Sequence, residues 1–368
     1  MMRPPLSSLV ADLPSTVPFV GPEAQERARG KQFAARIGAN ESVFGPSEKV
    51  MAAMKAEIEE VWKYCDPENH DLTQALAAYH GVSPDNILVG EGIDGLFGVT
   101  TRLFVERGDK VATSLGAYPT FNYQVAGAGG KIVTCAYVND HEDPASLIDL
   151  AKRENAKLIY LANPDNPMGT WWRGSDIEAM IKDIPEGTAL CLDEAYGEFA
   201  PAGTLPDLDV HNPQVLRFRT FSKAYGLAGC RIAYVIGEAK MIQAYNKIRN
   251  HFGVNRIAQA GALAALEDQD WLDTVVVRVH VARNEITRIA HENGLEVVPS
   301  AANFVAVDCG ADSVFAKAVM DSLLDQGVFV RMPGVEPLNR CVRISAGRED
   351  DLELLEKALP IALAVARG

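Results

Sequence analysis

The chain has six cysteines and not one C-x-x-C pair among them: Cys65, Cys135, Cys191, Cys230, Cys309 and Cys341 lie far apart. Zinc sites and disulfide frameworks both need thiols that cluster. The spacing therefore predicts reduced, mostly buried thiols in a cytoplasmic protein. Basic runs are missing too. With 35 Lys and Arg against 49 Asp and Glu, the formal net charge is -14, which argues against a nucleic-acid footprint. An anionic substrate would need a local cluster of arginines. Residues 1–20 hold several prolines and no unbroken apolar stretch of signal-peptide length. No segment approaches the roughly 20 apolar residues of a membrane-spanning helix. Internal repeats and low-complexity linkers are also lacking.

What is present is a chain of 368 residues, longer than one ordinary core, which predicts a large domain and a smaller one. Hydrophobic residues make up 48% and charged ones 23%, as expected of a compact soluble enzyme. Short apolar, β-branched runs alternate with amphipathic stretches between residues 86 and 237. Strands are predicted at 86–89, 110–114, 131–137, 157–162, 188–192, 215–220 and 231–236, with helices such as 94–105, 144–155 and 175–184 between them. Strands apolar on both faces and separated by helices imply an α/β fold, with a mostly parallel sheet covered by helices. Ligands collect at the carboxyl ends of such strands. Beyond residue 254 the pattern changes to a long helix at 269–293, strands at 295–299, 303–308, 328–332 and 341–345, and a final helix at 349–366. These predict a smaller α+β domain over 261–368, a large domain over 46–260, and an N-terminal arm, 1–45, that joins the smaller part.

Three strings sit at predicted strand ends. In Thr220-Phe221-Ser222-Lys223-Ala224-Tyr225-Gly226-Leu227-Ala228-Gly229-Cys230-Arg231, a lysine could form an imine with a carbonyl cofactor if its amine is kept partly neutral. Thr220, Ser222 and Arg231 would suit a phosphate cradle. A surface lysine in a glycine-containing turn is the equal alternative on this string alone. In Cys191-Leu192-Asp193-Glu194-Ala195-Tyr196, a carboxylate could pair with a protonated pyridine nitrogen, and Tyr196 could donate to a phenolic oxygen. A helix cap or a metal-binding carboxylate pair fits that string as well. Asn163-Pro164-Asp165-Asn166-Pro167-Met168-Gly169 is turn chemistry first, and such a turn can aim the Asn166 amide into a cleft.

Together, in this order, the strings resemble fold type I pyridoxal-phosphate (PLP) enzymes, specifically the histidinol-phosphate aminotransferase-like branch of class I/II aminotransferases. The resemblance runs from Asn40 to the C-terminal helix. It implies that Lys223 binds the cofactor aldehyde, that Asp193 pairs with the ring nitrogen, and that Asn166 and Tyr196 contact the phenolic oxygen. Ser222, Arg231 and Thr220 match phosphate ligands, as does the turn Gly90-Glu91-Gly92-Ile93-Asp94, in which Gly92, Ile93 and Asp94 open a helix. Phe121 matches the aromatic that stacks on the ring. Tyr64 matches a tyrosine reaching the neighbouring subunit's phosphate, which implies a homodimer with shared active sites. Arg343 matches the clamp on a substrate carboxylate, Arg331 a second anion-binding arginine, and Asn40 the start of a stretch near the substrate pocket. The family's N-E-N-P is here Asn40-Glu41-Ser42-Val43, and its G-N-G-S-D-E is Gly90-Glu91-Gly92-Ile93-Asp94-Gly95. These departures touch the substrate pocket and the phosphate turn.

The activity implied is amino transfer between an amino donor (histidinol phosphate and aromatic amino acids among the options) and a 2-oxo acid. A PLP-dependent decarboxylase or lyase, threonine-phosphate decarboxylase-like, shares the motifs. A PLP-binding regulator would need a fused DNA-binding domain, for which the segment before Asn40 is too short. A catalytically dead binding module is countered by the retention of Lys223, Asp193 and Arg343.

Overall fold

The computed structural model describes residues 3–15 and 19–368; of the expected arm, residues 1, 2 and 16–18 lie outside this description. All seven strands expected in the first part form one sheet: β1 (Ile87–Gly90), β2 (Lys110–Ser114), β3 (Lys131–Cys135), β4 (Leu158–Ala162), β5 (Ala189–Asp193), β6 (Val215–Thr220) and β7 (Ala233–Ile236). Their spatial order is β1-β7-β6-β5-β4-β2-β3. The central strands β4, β5 and β6 are buried at every position, whereas the edge strand β3 is partly exposed throughout. Such two-sided burial is what their unbroken apolar runs require. The exceptions on β6, Arg217 and Arg219, are neutralised by Glu194 and Glu198 at 2.7 and 2.8 Å, as buried charge demands.

One strand is reversed. β7 runs antiparallel to both β1 and β6, with Ala233 opposite Gly90 on one side and Thr220 on the other. The start of β7 therefore lies at the same edge of the sheet as the carboxyl ends of its neighbours. After β1 the chain enters helix α1 (Gly92–Phe104), and after β2 it enters α2 (Pro119–Ala128). Pro119 suits the first turn of α2, where its missing N–H costs no hydrogen bond.

Beyond these lies an antiparallel three-stranded sheet of β8 (Glu296–Val298), β9 (Phe304–Asp308) and β10 (Cys341–Ser345), with β9 in the middle. The helices Gln269–Glu292, Ser313–Asp325 and Glu349–Arg367 accompany it. In the N-terminal segment, Ala35–Arg36 pairs in parallel with Val328–Phe329. The boundary expected after residue 260 falls inside the helix Arg256–Glu267. Among the described residues, no helix is long and apolar enough to cross a membrane.

Candidate active site

The reversal of β7 builds a corner of hydrogen-bond donors. Gly92, at the end of β1, Thr220 and Ser222, at the end of β6, and Arg231, just before β7, meet at one edge of the sheet although more than 100 residues separate the first from the others. Gly92 has φ +76°, and a Cβ there would fall 2.4 Å from Arg231 Nη2. Only glycine both adopts that conformation readily and leaves room for the guanidinium. Arg231 Nη1 donates to the Ala228 carbonyl at 3.1 Å and stands 3.5 Å from Ser222 Oγ. Thr220 Oγ1 accepts from the Ser222 N–H at 3.0 Å. No side chain caps the N-terminus of α1, so its first amides remain free donors at the positive end of a helix. A phosphate dianion fits this set.

The corner opens into a cleft of about 620 Å³ whose lining includes Asn40, Asp94, Asn166, Asp193, Tyr196 and Lys223. Lys223 Nζ donates to the Asn40 carbonyl at 3.1 Å. Burial, followed by the positive charge of Arg343, brings its amine down to about 8. A useful fraction is thus neutral near physiological pH, as nucleophilic attack on a carbonyl requires. Asp193 ends β5. Its Oδ2 accepts from the Tyr160 hydroxyl at 2.9 Å and its Oδ1 from the Ala195 N–H at 3.0 Å. Burial raises its carboxyl to about 6 against the pull of these two donors, so it is mostly ionised at neutral pH. Glu194, its chain neighbour, pairs with Arg217 instead. Adjacent residues of a strand face opposite ways, and the two carboxylates therefore diverge rather than form a metal-binding pair.

Tyr196 is aimed by two amides. Asn40 Nδ2 donates to its hydroxyl at 3.0 Å and Asn166 Nδ2 at 3.3 Å. Neither amide is free to turn over: Asn40 Oδ1 accepts from Ser345 Oγ at 3.0 Å, and Asn166 Oδ1 accepts from Arg343 Nη1 at 2.7 Å. With both oxygen lone pairs engaged, the Tyr196 proton is left to be donated elsewhere. Burial pushes the phenol up to about 12, which keeps that proton in place.

Arg343, on β10, and Arg331 face each other across an isolated antiparallel bridge. Burial lowers both, Arg331 to about 10, and each is further lowered or offset by its charged surroundings, Arg343 acting on Arg331. Both remain cationic at neutral pH. Neither forms an ion pair with a carboxylate of the described residues, and the Nε of each is buried without a hydrogen-bond partner. Arg331 lies at the rim, its guanidinium 3.6 Å above the ring of Phe19 and hydrogen-bonded to the Val20 carbonyl.

One expected position differs. Phe121 does not reach the cleft. It is fully buried in the first turns of α2, stacked on Tyr160 at 4.6 Å and edge-on to Phe97 at 5.2 Å. From this stretch it is Tyr118, the residue capping α2, that lines the cleft together with Tyr123, its hydroxyl donating to Asp94 Oδ1 at 3.0 Å. The helix turns its interior position to the sheet and leaves the capping position at the open edge. Tyr64 also lies outside its own chain's cleft, exposed and packed against Phe252 at 5.0 Å. Tyr160, which holds Asp193, went unseen in the sequence because it sits inside an apolar strand and looks like core. Phe19 lines the cleft from the N-terminal segment and carried no motif at all.

Comparison with known proteins agrees with this arrangement. The sequence matches the family described as aminotransferase class I and II over residues 35–359. It is 34% identical over 322 residues to histidinol-phosphate aminotransferase 1 of Mesorhizobium japonicum, covering 85% of this chain and 86% of that protein. A crystal structure of histidinol-phosphate aminotransferase from Sinorhizobium meliloti, in complex with pyridoxal-5'-phosphate, superposes with a TM-score of 0.95 at 54% identity, covering 98% of this chain and 97% of that one. Aspartate aminotransferase from Thermus thermophilus, solved with maleate, shares the fold at a TM-score of 0.83 and 22% identity over 98% of this chain and all of that one. A half-buried lysine of lowered basicity, a carboxylate at the neighbouring strand end and a phosphate-shaped corner thus stand within a sequence that matches one family for almost its whole length, and the chain belongs to the class I and II aminotransferases.

Proposed function

We propose that the chain is a PLP-dependent aminotransferase whose amino donor is histidinol phosphate and whose acceptor is a 2-oxo acid. The observation that carries the choice of anionic substrates is the pair of arginines without carboxylate partners, Arg343 and Arg331, bridged side by side, the first bonded to Asn166 and the second stacked on Phe19, both of which line the cleft. The named relatives support the choice of donor.

The residues present fit PLP. The Thr220, Ser222 and Arg231 corner, with the amides opening α1 at Gly92, Ile93 and Asp94, would hold the phosphate. When bound, the cofactor supplies an electron-withdrawing ring that stabilises negative charge at the substrate carbon. Asp193 would keep the ring nitrogen protonated, Tyr118 would lie against the ring, and Tyr196 with Asn166 would hydrogen-bond the phenolic oxygen. Lys223 Nζ would remove and return the proton at the reacting carbon. Arg343 holds the carboxylate of the 2-oxo acid through a two-point contact suited to a planar anion, with Asn40 beside it, and Arg331 takes the donor's distal phosphate.

The test is a matrix of kcat/KM values for phosphorylated, acidic, aromatic and aliphatic donors, with formation of glutamate from 2-oxoglutarate as the readout. Histidinol phosphate should lead. Arg343→Ala should cost about 2–5 kcal/mol, the range for stripping one partner from a buried charged contact, with every 2-oxo acid. Arg331→Ala should penalise phosphorylated and acidic donors and spare small neutral ones. A uniform loss across donors would make Arg331 scaffold and remove the residue-level support for a phosphorylated donor. Release of carbon dioxide without glutamate would favour a decarboxylase.

The working unit in this reading is a cytoplasmic homodimer with shared sites. Val61, Trp62 and Tyr64 are all more than half exposed on the single chain, Tyr64 at 81%, an apolar surface that a second copy would cover. Hybrid dimers of Tyr64→Phe and Lys223→Ala subunits test this. With shared sites, one site carries both changes and the other neither, so the live site should bind PLP as the wild type does. Affinity matching Tyr64→Phe in the live site would show that Tyr64 serves its own subunit.

A further inference from the structure

Behind the turn that carries Asn166 lie two carboxyl groups with no part in the reaction as derived so far. Glu142 and Asp165 are 1% and 2% exposed and lie close enough for each to perturb the other's ionisation. Asp165 Oδ1 accepts from the Tyr137 hydroxyl at 2.8 Å, and its Oδ2 accepts from the Met168 N–H, also at 2.8 Å. Glu142 Oε1 accepts from the Ala162 N–H at 2.9 Å, while Oε2 is buried and meets no donor. A carboxylate oxygen can bond to another carboxylate only across a proton.

The groups facing this pair supply little compensating charge. Ser114 comes from β2, and Cys135 and Tyr137 from β3 and the segment after it. Tyr160 lies on β4, Tyr196 follows β5, and Arg343 is on β10. Cys135 is pushed up to about 11 and the tyrosines are raised, all by burial, so each keeps its proton at neutral pH. Asp143 adds a further negative charge near Cys135. Arg343 is the cation of the set, and it is bonded to Asn166 rather than to either carboxyl. Two bare carboxylates in contact here would repel without relief.

We propose that Glu142 and Asp165 hold a single shared proton at neutral pH, carried on Glu142 Oε2 and donated to Asp165, and that this pair is a positioning device for Asn166. Asp165 then accepts from Tyr137 and from the Met168 N–H, the contact that closes the turn around Asn166. That turn in turn sets the Asn166 amide between Tyr196 and Arg343. Burial raises both carboxyls, Glu142 well above the usual carboxylate range, in keeping with a retained proton. Loss of the proton would drive Asp165 away from Glu142 and disturb Asn166 and Arg343 together.

The first two measurements use the protein without cofactor and do not depend on the functional reading. Infrared difference spectra of wild type against Glu142→Gln at neutral pH should show a protonated-carboxyl stretch that the variant lacks. Unfolding as a function of pH should show a linked proton. Between about pH 5 and 7 the folded wild type keeps a proton that the unfolded chain has released, so its stability falls as pH rises. Removing that proton from the balance flattens the decline by a factor of about ten per pH unit in the unfolding constant. Glu142→Gln should be the flatter of the two. The third measurement rests on the aminotransferase reading and uses any accepted donor. Glu142→Ala should lose about tenfold or more in kcat, and Glu142→Gln, whose amide still donates to Asp165, should recover most of it and push the alkaline limb of the pH profile upward. If Glu142→Gln does not fold, Asp165→Asn takes away the neighbouring negative charge, and should shift the carboxyl band and lower the pH at which the linked proton is lost. Absence of the band together with parallel pH slopes would overturn the shared proton. A Gln variant as impaired as Ala, with the band confirmed, would overturn the positioning role.

Discussion

Lys223→Ala is expected to reduce turnover by about four orders of magnitude, the upper range for removing a positioned proton-transfer group, with an added loss from the missing attachment point. The fold should tolerate the change. Lys223 Nζ has one hydrogen bond, to the Asn40 carbonyl, and that carbonyl also accepts from Asn303 Nδ2 at 3.1 Å. Borohydride treatment of the wild-type holoenzyme followed by peptide mapping should place the phosphopyridoxyl group on Lys223 alone. Because only the neutral amine attacks, the rate at which apo-protein captures PLP should rise with pH and level off above about 8, the value to which burial and Arg343 lower this amine. A label on another lysine, or turnover within tenfold of wild type in Lys223→Ala, would sink the assignment.

Asp193→Asn should slow the chemical step by on the order of 10²–10³-fold, the usual cost of removing one preorganised electrostatic contact, while retaining much of the affinity for PLP. In the proposed function the carboxylate acts on charge at the ring nitrogen, whereas affinity would rest on the separate corner at Gly92, Ser222 and Arg231. The substitution is close to isosteric. Asp193 accepts from two donors, Tyr160 and the Ala195 N–H, and an asparagine oxygen can satisfy the backbone donor while the Tyr160 hydroxyl rotates to accept from its amide. Single-turnover rates and PLP affinity, measured separately, distinguish the outcomes. Half-reaction rates near wild type would mean another group serves the nitrogen. A loss of affinity as large as the loss in rate would make Asp193 a binding residue.

Much of the scaffold follows from local patterns. Strands β4, β5 and β6 are short apolar runs ended by Asn163-Pro164, Asp193-Glu194 and Ser222-Lys223, and each run appears within a residue or two of its expected place. An apolar run between turn-forming residues has few alternatives once it must be buried on both faces. Lys223, Asp193 and Asn166 were legible for the same reason, since each directly follows or ends such a run. The long helix Gln269–Glu292 and the last helix Glu349–Arg367 were likewise set by their apolar spacing.

The tertiary structure decided what depends on which strand lies beside which. The reversed β7 brings Arg231 back to the edge where Gly92 waits, and nothing in its apolar sequence states its direction. Tyr118 and Phe121 are three residues apart and both aromatic, yet the packing of α2 on Tyr160 sends one to the cleft and the other to the core. Arg343 reaches Asn166 across 177 positions, and Tyr160 reaches Asp193 across 33. Glu142 and Asp165 acquire their shared burial only when the segment after β3 folds over the end of β4. Residue type and periodicity, acting over a few positions, determined the strands, the helices and the place of Lys223 after β6. Contacts between distant segments, and the desolvation they impose, decided the charge states, which aromatic of α2 meets the cleft and which the core, and the corner formed by Gly92, Ser222 and Arg231.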